Sequence, residues 1–308
     1  MRILVLGATG YLGTHVVQRL RALPGARVLV GGRSPVADVR VDLATDRPQD
    51  LASALAAAAP DAVVNCAGAT GGDAVTLAEV NARGPAVLCA ALRDAAPGAR
   101  LVHLGSAAEY GPTDPGVRVT ESAATRPAGP YGATKLAGTV AVTASGLDAV
   151  VLRVGNPVGP GAPPTGLPGR VAALLADAGD DPEAMLRLGD LSAHRDFVDV
   201  RDVARAAQLA VTAPGPVPPV LNVGGGDARP VRELVRTLAD AAGFRGLIAE
   251  EEAGGSTRSA QVSWQCSDIT AARGALGWSP SHSLDASAAA LWAAARPRAR
   301  TAKGVPAR

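Results

Sequence analysis

Aromatic side chains are scarce in this chain: they make up 3% of its 308 residues, although apolar residues as a whole reach 47%. A core of ordinary size must therefore consist mainly of Ala, Val and Leu. The sequence also lacks an apolar run of about 18 residues, so no membrane crossing is expected. The N-terminus runs into a glycine loop without the apolar region of a signal peptide, and we expect a cytoplasmic protein.

Cysteine is also rare, and Cys66, Cys89 and Cys266 lie far apart without a C-x-x-C pair. This spacing favours reduced thiols over a disulfide or a metal site. Lysine is rarer still, because the basic residues are almost all Arg and Lys occurs only at positions 135 and 303. The net charge is +2 and no basic run alternates with aromatics, so a nucleic-acid partner is not expected.

Short β-type runs alternate with helical ones along the chain, most regularly in its first third. The apolar runs predict strands at Arg2–Leu6, Arg27–Val30, Val39–Asp42, Ala62–Asn65, Arg100–Leu104 and Ala149–Val154, with a later strand at Val220–Val223. The periodic runs predict helices at Tyr11–Leu23, Leu51–Ala59, Thr76–Leu92, from Tyr131 onward, Arg170–Ala178, Val203–Thr212 and Val231–Ala241. This alternation is typical of an α/β protein with a doubly wound parallel sheet of the Rossmann type.

The chain changes character after Gly155, where a loop rich in Pro and Gly extends to Gly169. We predict a dinucleotide-binding domain at residues 1–155, to which residues 190–224 return. Residues 156–189 and 225–296 are predicted to form a smaller C-terminal α/β lobe that binds the substrate. The Arg/Pro/Ala-rich end, 297–308, is predicted to be a disordered tail.

A glycine loop follows the first strand and opens the first helix. Glycines allow a phosphate to approach the backbone closely, and a helix N-terminus offers free N–H groups and a positive dipole. A glycine motif alone is weak, but the strand–loop–helix context supports a dinucleotide site. The predicted cofactor residues of the loop are Gly7, Thr9, Gly10, Tyr11, Leu12 and Gly13.

The end of the second strand predicts which cofactor is bound. NAD sites usually place a carboxylate there, whereas this chain has Arg33, which could pair with a 2′-phosphate or simply face solvent. We therefore predict NADP(H) as the preferred cofactor, with NAD(H) possible. Asp42 either accepts from the adenine amino group or caps the next turn, and it is assigned to the cofactor together with Leu43 and, after the fourth strand, Cys66, Ala67 and Gly68.

Lys135 follows Tyr131 by four positions at a helix start, so both side chains lie on one face. A phenol ordinarily has a pKa of about 10, and a nearby ammonium makes it a better proton donor. Ser106 ends the fifth strand, at the edge of the sheet where ligands bind, and could hold the same substrate oxygen. A surface helix pair and a turn-capping serine are the alternative readings.

With these motifs in place, the chain resembles the extended short-chain dehydrogenases/reductases of the nucleotide-sugar epimerase/dehydratase type. The resemblance covers nearly all of residues 1–292, including the runs Arg153–Gly161, Gly189–Asp202 and Leu276–Pro280. Within that family the chain is most similar to GDP- and dTDP-4-keto-6-deoxyhexose reductases. The resemblance implies NADPH-dependent reduction of a sugar ketone.

Departures from the family pattern narrow the reaction. Dehydratases of this family carry an Asp-Glu pair where this chain has Ala107 and Ala108, which are assigned to the substrate pocket. Alanine can neither give nor take a proton, and we expect the next residue, Glu109, to point elsewhere. The sequence therefore argues against a dehydratase.

Asn81 is assigned a catalytic role, because Pro85 cannot donate to its carbonyl four residues back. That carbonyl could hold a water behind Lys135 and complete a proton relay to Tyr131; a plain helix kink is the alternative.

The family resemblance assigns Arg195 and Arg258 to the substrate diphosphate and Asn156 to phosphate or sugar. Paired guanidiniums suit a diphosphate, although each Arg could instead form a structural salt bridge.

The first hypothesis is thus a reductase of a nucleotide-diphosphate 4-keto-6-deoxy sugar. An epimerase that retains NAD⁺ is the second, and a reductase of a non-sugar ketone or a non-catalytic dinucleotide sensor remain alternatives. By analogy with the family, a homodimer would form through Thr76–Leu92 and Tyr131–Thr143.

Overall fold

The computed structural model describes residues 1–251 and 262–296. Arg258 and the predicted tail at 297–308 lie outside the described residues. In the described chain, seven parallel strands form one sheet in the order β10-β6-β5-β4-β1-β2-β3. Their bounds are β1 Arg2–Leu6, β2 Arg27–Gly32, β3 Val39–Arg40, β4 Ala62–Asn65, β5 Arg100–Ser106, β6 Ala149–Val154 and β10 Val220–Val223. This confirms the predicted doubly wound parallel sheet.

Helices cover both faces of the sheet, as parallel strands require. Their bounds are α1 Tyr11–Arg21, α2 Pro48–Ala58, α3 Ala74–Ala78, α4 Gly84–Ala95, α5 Pro130–Thr143 and α7 Val200–Thr212. One apolar cluster packs α1 and α7 on the sheet, and a second packs α2, α4 and α5 on the opposite face. Most buried side chains in both clusters are Ala, Val and Leu.

The predicted helix Thr76–Leu92 was wrong as a single element. The segment Glu79–Arg83 forms a π-helical turn between α3 and α4, and the N–H of Gly84 donates to the carbonyl of Glu79, five residues back. Pro85, at the start of α4, has no N–H to give to Asn81. A widened turn beside a missing donor is a recognised way to interrupt a helix.

The remaining elements form a second layer beside the large sheet. They are β7 Asn156–Val158, α6 Leu167–Ala178, β8 Met185–Leu188, β9 His194–Asp199, β11 Ala228–Pro230, α8 Val231–Ala242, β12 Leu247–Glu250, α9 Thr270–Leu276 and α10 Leu284–Ala295. Strands β11, β9 and β7 form one small sheet, and β12 pairs with β8. A third apolar cluster packs α6, α8 and α10 together, with Leu234 and Leu238 fully buried. The predicted loop at 155–169 was wrong where it contains β7, and the division into two domains stays a prediction.

Within the described residues, the structure contains no helix that is both long and apolar enough to span a membrane.

Candidate active site

The glycine loop lies where the strand order reverses. The chain leaves β1 toward β2 and β3 on one side and continues in β4 on the other, so the loop after β1 opens into the crevice between the two halves. Gly7 has a φ of 71°, a left-handed value that glycine adopts without strain. A Cβ at Gly13 would overlap the carbonyl of Gly7, so glycine is required for this tight entry into α1.

Room for a phosphate at this loop comes from the start of α1. Gly10 is the N-cap and provides no side-chain hydrogen bond, so the first N–H groups of α1 face outward. Thr9 and Gly10 are exposed, whereas Leu12 packs on the core. The loop therefore fits a dinucleotide, because a bound diphosphate would meet the backbone donors at the start of α1.

Tyr11 connects the glycine loop to the second layer. Its hydroxyl donates to the carbonyl of Gly159 at 3.3 Å, and His15, one turn later, lies 2.9 Å from the carbonyl of Pro160. The two rings meet edge to face, with 5.9 Å between their centroids. The start of α1 is thus fixed against the loop that follows β7.

Arg33 lines a cavity of about 550 Å³ at the end of β2, and a second guanidinium, that of Arg40, shares it. Arg40 lies on β3 directly beside Gly32 of β2. Both arginines are exposed, and neither forms an ion pair or side-chain hydrogen bond with a described residue. Sequence reasoning missed Arg40, because the pairing of β2 with β3 brings it to this cavity.

Asp42 lies in the same cavity, but its carboxylate accepts from the N–H of Ala44 at 3.1 Å. The carboxylate therefore caps the following turn, and its contact with the adenine amino group stays a prediction. Leu43 is 6% exposed and packs in the core, while its carbonyl accepts from Arg83 at 3.1 Å. Any contact of Leu43 with a cofactor would therefore come from its backbone.

The loop after β4 brings the predicted cofactor residues against the catalytic ones. A Cβ at Gly68 would lie 3.4 Å from Oδ1 of Asn81 and 3.9 Å from Nζ of Lys135. Asn81 is 1% exposed, accepts from the N–H of Ala69 at 2.9 Å and donates to its carbonyl at 2.8 Å. Cys66 and Ala67 precede Gly68, so all three residues lie at the carboxyl end of β4 beside this polar cluster.

Lys135 is 4% exposed, and its ammonium donates to the carbonyl of Leu104 on β5. Burial lowers the pKa of Lys135 to about 8, opposed by the negative charge of Glu109. Tyr131, one turn earlier on α5, is half-buried. The predicted helix is therefore present, with Lys135 buried and Tyr131 partly accessible.

His103 lies under the same helix, is fully buried and went unassigned in sequence reasoning. Its Nδ1 is 3.1 Å from Nδ2 of Asn65, and since the amide nitrogen can only donate, Nδ1 accepts and Nε2 carries the proton. No described residue accepts from Nε2. Burial, and after it the charge of Lys135, holds the pKa of His103 well below its usual range, so the ring is neutral.

Ser106 ends β5, and the turn after it touches α5. The Ser106 hydroxyl oxygen accepts from the N–H of Ala108 at 3.2 Å. A Cβ at Gly132, next to Tyr131, would lie 2.5 Å from the carbonyl of Ala108. Ala107 is 2% exposed and packs against Tyr110. The structure thus brings the Ser106 turn and the Tyr131 helix into direct contact.

Glu109 points away from the crevice, as the sequence predicted. It is fully buried and accepts from Arg153 Nε at 2.7 Å and Thr139 Oγ1 at 2.9 Å. With Ala107 and Ala108 at the two preceding positions, none of these three residues offers a carboxylate to the crevice.

Asn156 and Arg195 lie on neighbouring strands of the small sheet. Asn156 on β7 is paired with Phe197 on β9, and Arg195 is two residues before Phe197, so the predicted substrate residues share one face. Asn156 donates to Gln265 at 2.9 Å, and Arg195 is 5% exposed and donates to the carbonyl of His194 at 2.8 Å.

The acidic residues after Arg195 have structural partners. Asp196 accepts from the N–H groups of Gly226 and Ser267, both at 2.9 Å. Asp202 accepts from Ser281 Oγ at 2.6 Å, and its carbonyl accepts from the indole of Trp278 at 2.9 Å. This part of the Gly189–Asp202 run therefore joins the C-terminal segments to the sheet.

A parallel sheet in this order, a glycine loop at its reversal point and a Tyr-Lys pair on the adjoining helix define a nucleotide-binding α/β protein of the dehydrogenase type. Residues 3–224 match the NAD dependent epimerase/dehydratase family. The chain belongs to this family, and the resemblance drawn from its motifs is confirmed.

Two characterised relatives are similar over most of the chain. A dTDP-6-deoxy-L-talose 4-dehydrogenase (NAD(P)(+)) from Kitasatospora kifunensis is 39% identical over 305 residues, 95% of each chain. A GDP-6-deoxy-D-mannose reductase from Pseudomonas aeruginosa is 29% identical over 265 residues, 82% of this chain and 84% of the relative. Among solved structures, that of RMD from Pseudomonas aeruginosa complexed with NADPH matches with a TM-score of 0.82 at 25% identity, covering 96% of this chain and 98% of the other.

Proposed function

We propose that this chain uses NADPH to reduce the 4-keto group of a nucleotide-diphosphate 4-keto-6-deoxy sugar, with Tyr131 as the proton donor. The observation that carries the proposal is the convergence of Ser106 with the Tyr131–Lys135 helix beside two alanines, Ala107 and Ala108. One phenol without a carboxylate pair suits proton transfer to a ketone oxygen. Elimination of water would need a further acid and base.

The relative from Kitasatospora kifunensis supports a dTDP sugar as the substrate. Its name describes oxidation at C4 of a 6-deoxy sugar, and oxidation and reduction at one carbon are the same reaction in opposite directions. We therefore place a dTDP-4-keto-6-deoxyhexose first among the substrates and the GDP sugar second.

NADP(H) is the preferred cofactor in this proposal, with NAD(H) possible, and it supplies the hydride when bound. The loop from Gly7 to Gly13 would hold the diphosphate, and the residues from Cys66 to Gly68 would line the nicotinamide side. Arg33 and Arg40 would pair with the 2′-phosphate, because two guanidiniums without a described partner share the cavity at the end of β2.

The proton route follows the buried polar cluster. Tyr131 would give its proton to the ketone oxygen, while the Ser106 hydroxyl donates to the same atom. A charged Lys135 favours proton release from a neighbouring phenol. Asn81 would complete the relay from bulk water through its carbonyl, since Pro85 cannot donate to it.

The diphosphate of the sugar would be bound by Arg195, with Asn156 donating to phosphate or sugar. Both lie on the same face of the small sheet, which supports a shared ligand. Arg258, which lies outside the described residues, is proposed to supply a second guanidinium to the diphosphate.

A homodimer would form through α3, α4 and α5. Val75 on α3 and Val140 on α5 are 65% and 56% exposed, and a facing copy of the same helices would cover them.

The test incubates the protein with NADPH and either dTDP- or GDP-4-keto-6-deoxyhexose while absorbance at the NADPH band is followed. Stoichiometric loss of NADPH together with formation of the 6-deoxy sugar is expected, and faster with the dTDP sugar. Interconversion of sugar epimers without net NADPH consumption, by protein that retains NAD⁺, would instead identify an epimerase.

A further inference from the structure

Glu109 connects three elements that carry or support the candidate site. Its carboxylate accepts from the N–H of Ser106 at 2.8 Å, from Thr139 Oγ1 at 2.9 Å and from Arg153 Nε at 2.7 Å. These partners belong to the end of β5, to α5 and to β6. The side chain is fully buried, so its charge is poorly screened by solvent.

The surroundings of Glu109 fix the carboxylate in place. A Cβ at Gly105 would lie 2.8 Å from Oε1, so a side chain there would displace it. The guanidinium of Arg153 lies 4.5 Å from the centroid of the Tyr110 ring, and the Tyr110 hydroxyl donates to Asn222 at 2.8 Å. These contacts together restrict where the buried carboxylate can lie.

The charge of Glu109 also acts on Lys135. Thr139, which donates to Glu109, lies one turn after Lys135 on the same face of α5, so the carboxylate and the ammonium meet the same face of that helix. Burial is the main influence on the pKa of Lys135, and Glu109 raises that pKa against it. The other titratable groups around Lys135 are Tyr131 on the same helix and two groups from the sheet.

Those two groups are Cys66 and His103. Burial raises the pKa of the Cys66 thiol to about 12, so it carries no charge near neutral pH. The ring of His103 is neutral as well. Among the described residues whose charge acts on Lys135, Glu109 is the carboxylate, and Arg153 is the cation bound to it.

We propose that Glu109 is a positioning residue that keeps Lys135 protonated and holds the Ser106 turn against the helix of Tyr131. Its negative charge offsets part of the penalty for burying an ammonium, and its hydrogen bonds set the distance between β5 and α5. This inference rests on the proposed function in one respect, namely that Tyr131 transfers the proton.

The scarcity of lysine makes a direct test feasible. The sequence contains two lysines, Lys135 and Lys303, so the full chain labelled with ¹³C and ¹⁵N lysine gives two side-chain signals, and K303R assigns them. Lys135 is expected to titrate near pH 8 in the parent protein. In E109Q, which keeps the shape and an acceptor oxygen, its pKa should fall by about one unit, the low end of what a nearby charge produces.

Thr139→Val is the matched control, because it removes one hydrogen bond to Glu109 and leaves the charge. The Lys135 titration should be unchanged in T139V. An E109Q protein in which Lys135 titrates as in the parent would overturn the proposal. If E109Q alone does not fold, the double variant E109Q/R153M removes both buried charges together. Its Lys135 titration is then compared with that of R153M, which also lacks the Arg153 cation, and the downward shift is expected relative to R153M.

Ketone reduction gives a second readout. In E109Q the fall of kcat at alkaline pH should begin at lower pH than in the parent, because Lys135 loses its proton earlier. A uniform loss of kcat at all pH values would reveal a purely structural role and overturn the proposal. The lysine titration needs neither sugar nor cofactor, so an inactive parent would reject the proposed function and leave the titration result readable.

Discussion

The backbone carbonyl of Asn81 lies directly against Gly138. A Cβ at Gly138 would overlap that oxygen and would lie 3.1 Å from the ring of Pro85. The π-helical turn between α3 and α4 and the middle of α5 are therefore in backbone contact, which is possible only because position 138 lacks a side chain. This contact holds α5, and with it Lys135, against the polar cluster at Asn81.

Gly138→Ala should destabilise the protein, although alanine is the better helix former. Overpacking at this contact is expected to lower the free energy of unfolding by about 1–3 kcal/mol, measured by urea denaturation. Gly274→Ala is the matched control, since Gly274 lies within α9 with open space around it. It should stabilise the protein by about 0.5–1 kcal/mol, and equal effects of the two variants would refute the contact.

Tyr131→Phe should lower kcat for ketone reduction by about 10²- to 10⁴-fold, the usual contribution of a proton donor. Binding of NADPH, followed by fluorescence, should change little. Tyr110→Phe is the control, because that phenol donates to Asn222 inside the core. It should mainly lower stability, by about 1 kcal/mol, and a similar kcat loss in both variants would argue against Tyr131 as donor.

The reductive reaction should slow as the pH rises through about 8, because Lys135 loses its proton there. The sign follows because an ammonium is charged below its pKa and neutral above it, and burial places the pKa of Lys135 below the usual value for lysine. A pH profile of kcat measures this. Activity that persists undiminished well above the titration of Lys135 would show that its charge is dispensable.

Removing Arg33 and Arg40 together should raise the KM for NADPH by roughly tenfold or more, as expected for loss of charge-assisted hydrogen bonds to a 2′-phosphate. The KM for NADH, which lacks that phosphate, should stay nearly constant. Arg187→Ala, at a residue 67% exposed on β8, is the control. Parallel increases in the KM for NADPH and the KM for NADH would indicate that the two guanidiniums do not bind the 2′-phosphate.

Arg195→Ala should raise the KM for the nucleotide sugar far more than it lowers kcat, because a guanidinium bound to the diphosphate acts on substrate binding. Arg229, its register partner on β11 and half exposed, offers the control R229A. A fall in kcat as large as the rise in KM for R195A would point to a structural role. A large fall in the melting temperature of R195A would do the same.

Most of the sheet could be predicted from sequence because its strands are short apolar runs with clear ends. Ala62–Asn65, Ala149–Val154 and Val220–Val223 begin and end where predicted. β7 was missed because its three residues include a proline and stand in a loop rich in Pro and Gly. Pairing with β9, which makes β7 a strand, depends on residues about forty positions away.

The local parts of the site could be predicted as well, since a glycine loop and an i, i+4 pair are properties of single segments. The residues that contact these segments could not be predicted, because they come from distant parts of the chain. Arg40 lines the same cavity as Arg33 because β3 pairs with β2. Glu109 pairs with Arg153, which lies forty-four residues later in the chain. The turn cap at Asp42 was one of two local possibilities and is formed in the folded loop, while the contact with adenine stays a prediction.

The bonds from Asp196 and Asp202 to Ser267, Trp278 and Ser281 have a consequence for how the chain can be divided. The indole of Trp278 is fully buried against the layer that covers β1, and β10 supplies one edge of the sheet from late in the sequence. A fragment ending after β6 would expose the backbone of β6 as a new edge and uncover the face beneath α7. The nucleotide-binding half should therefore be recovered as a stable product only when synthesis has passed Ser281, and a ribosome-bound intermediate shorter than that should be sensitive to protease.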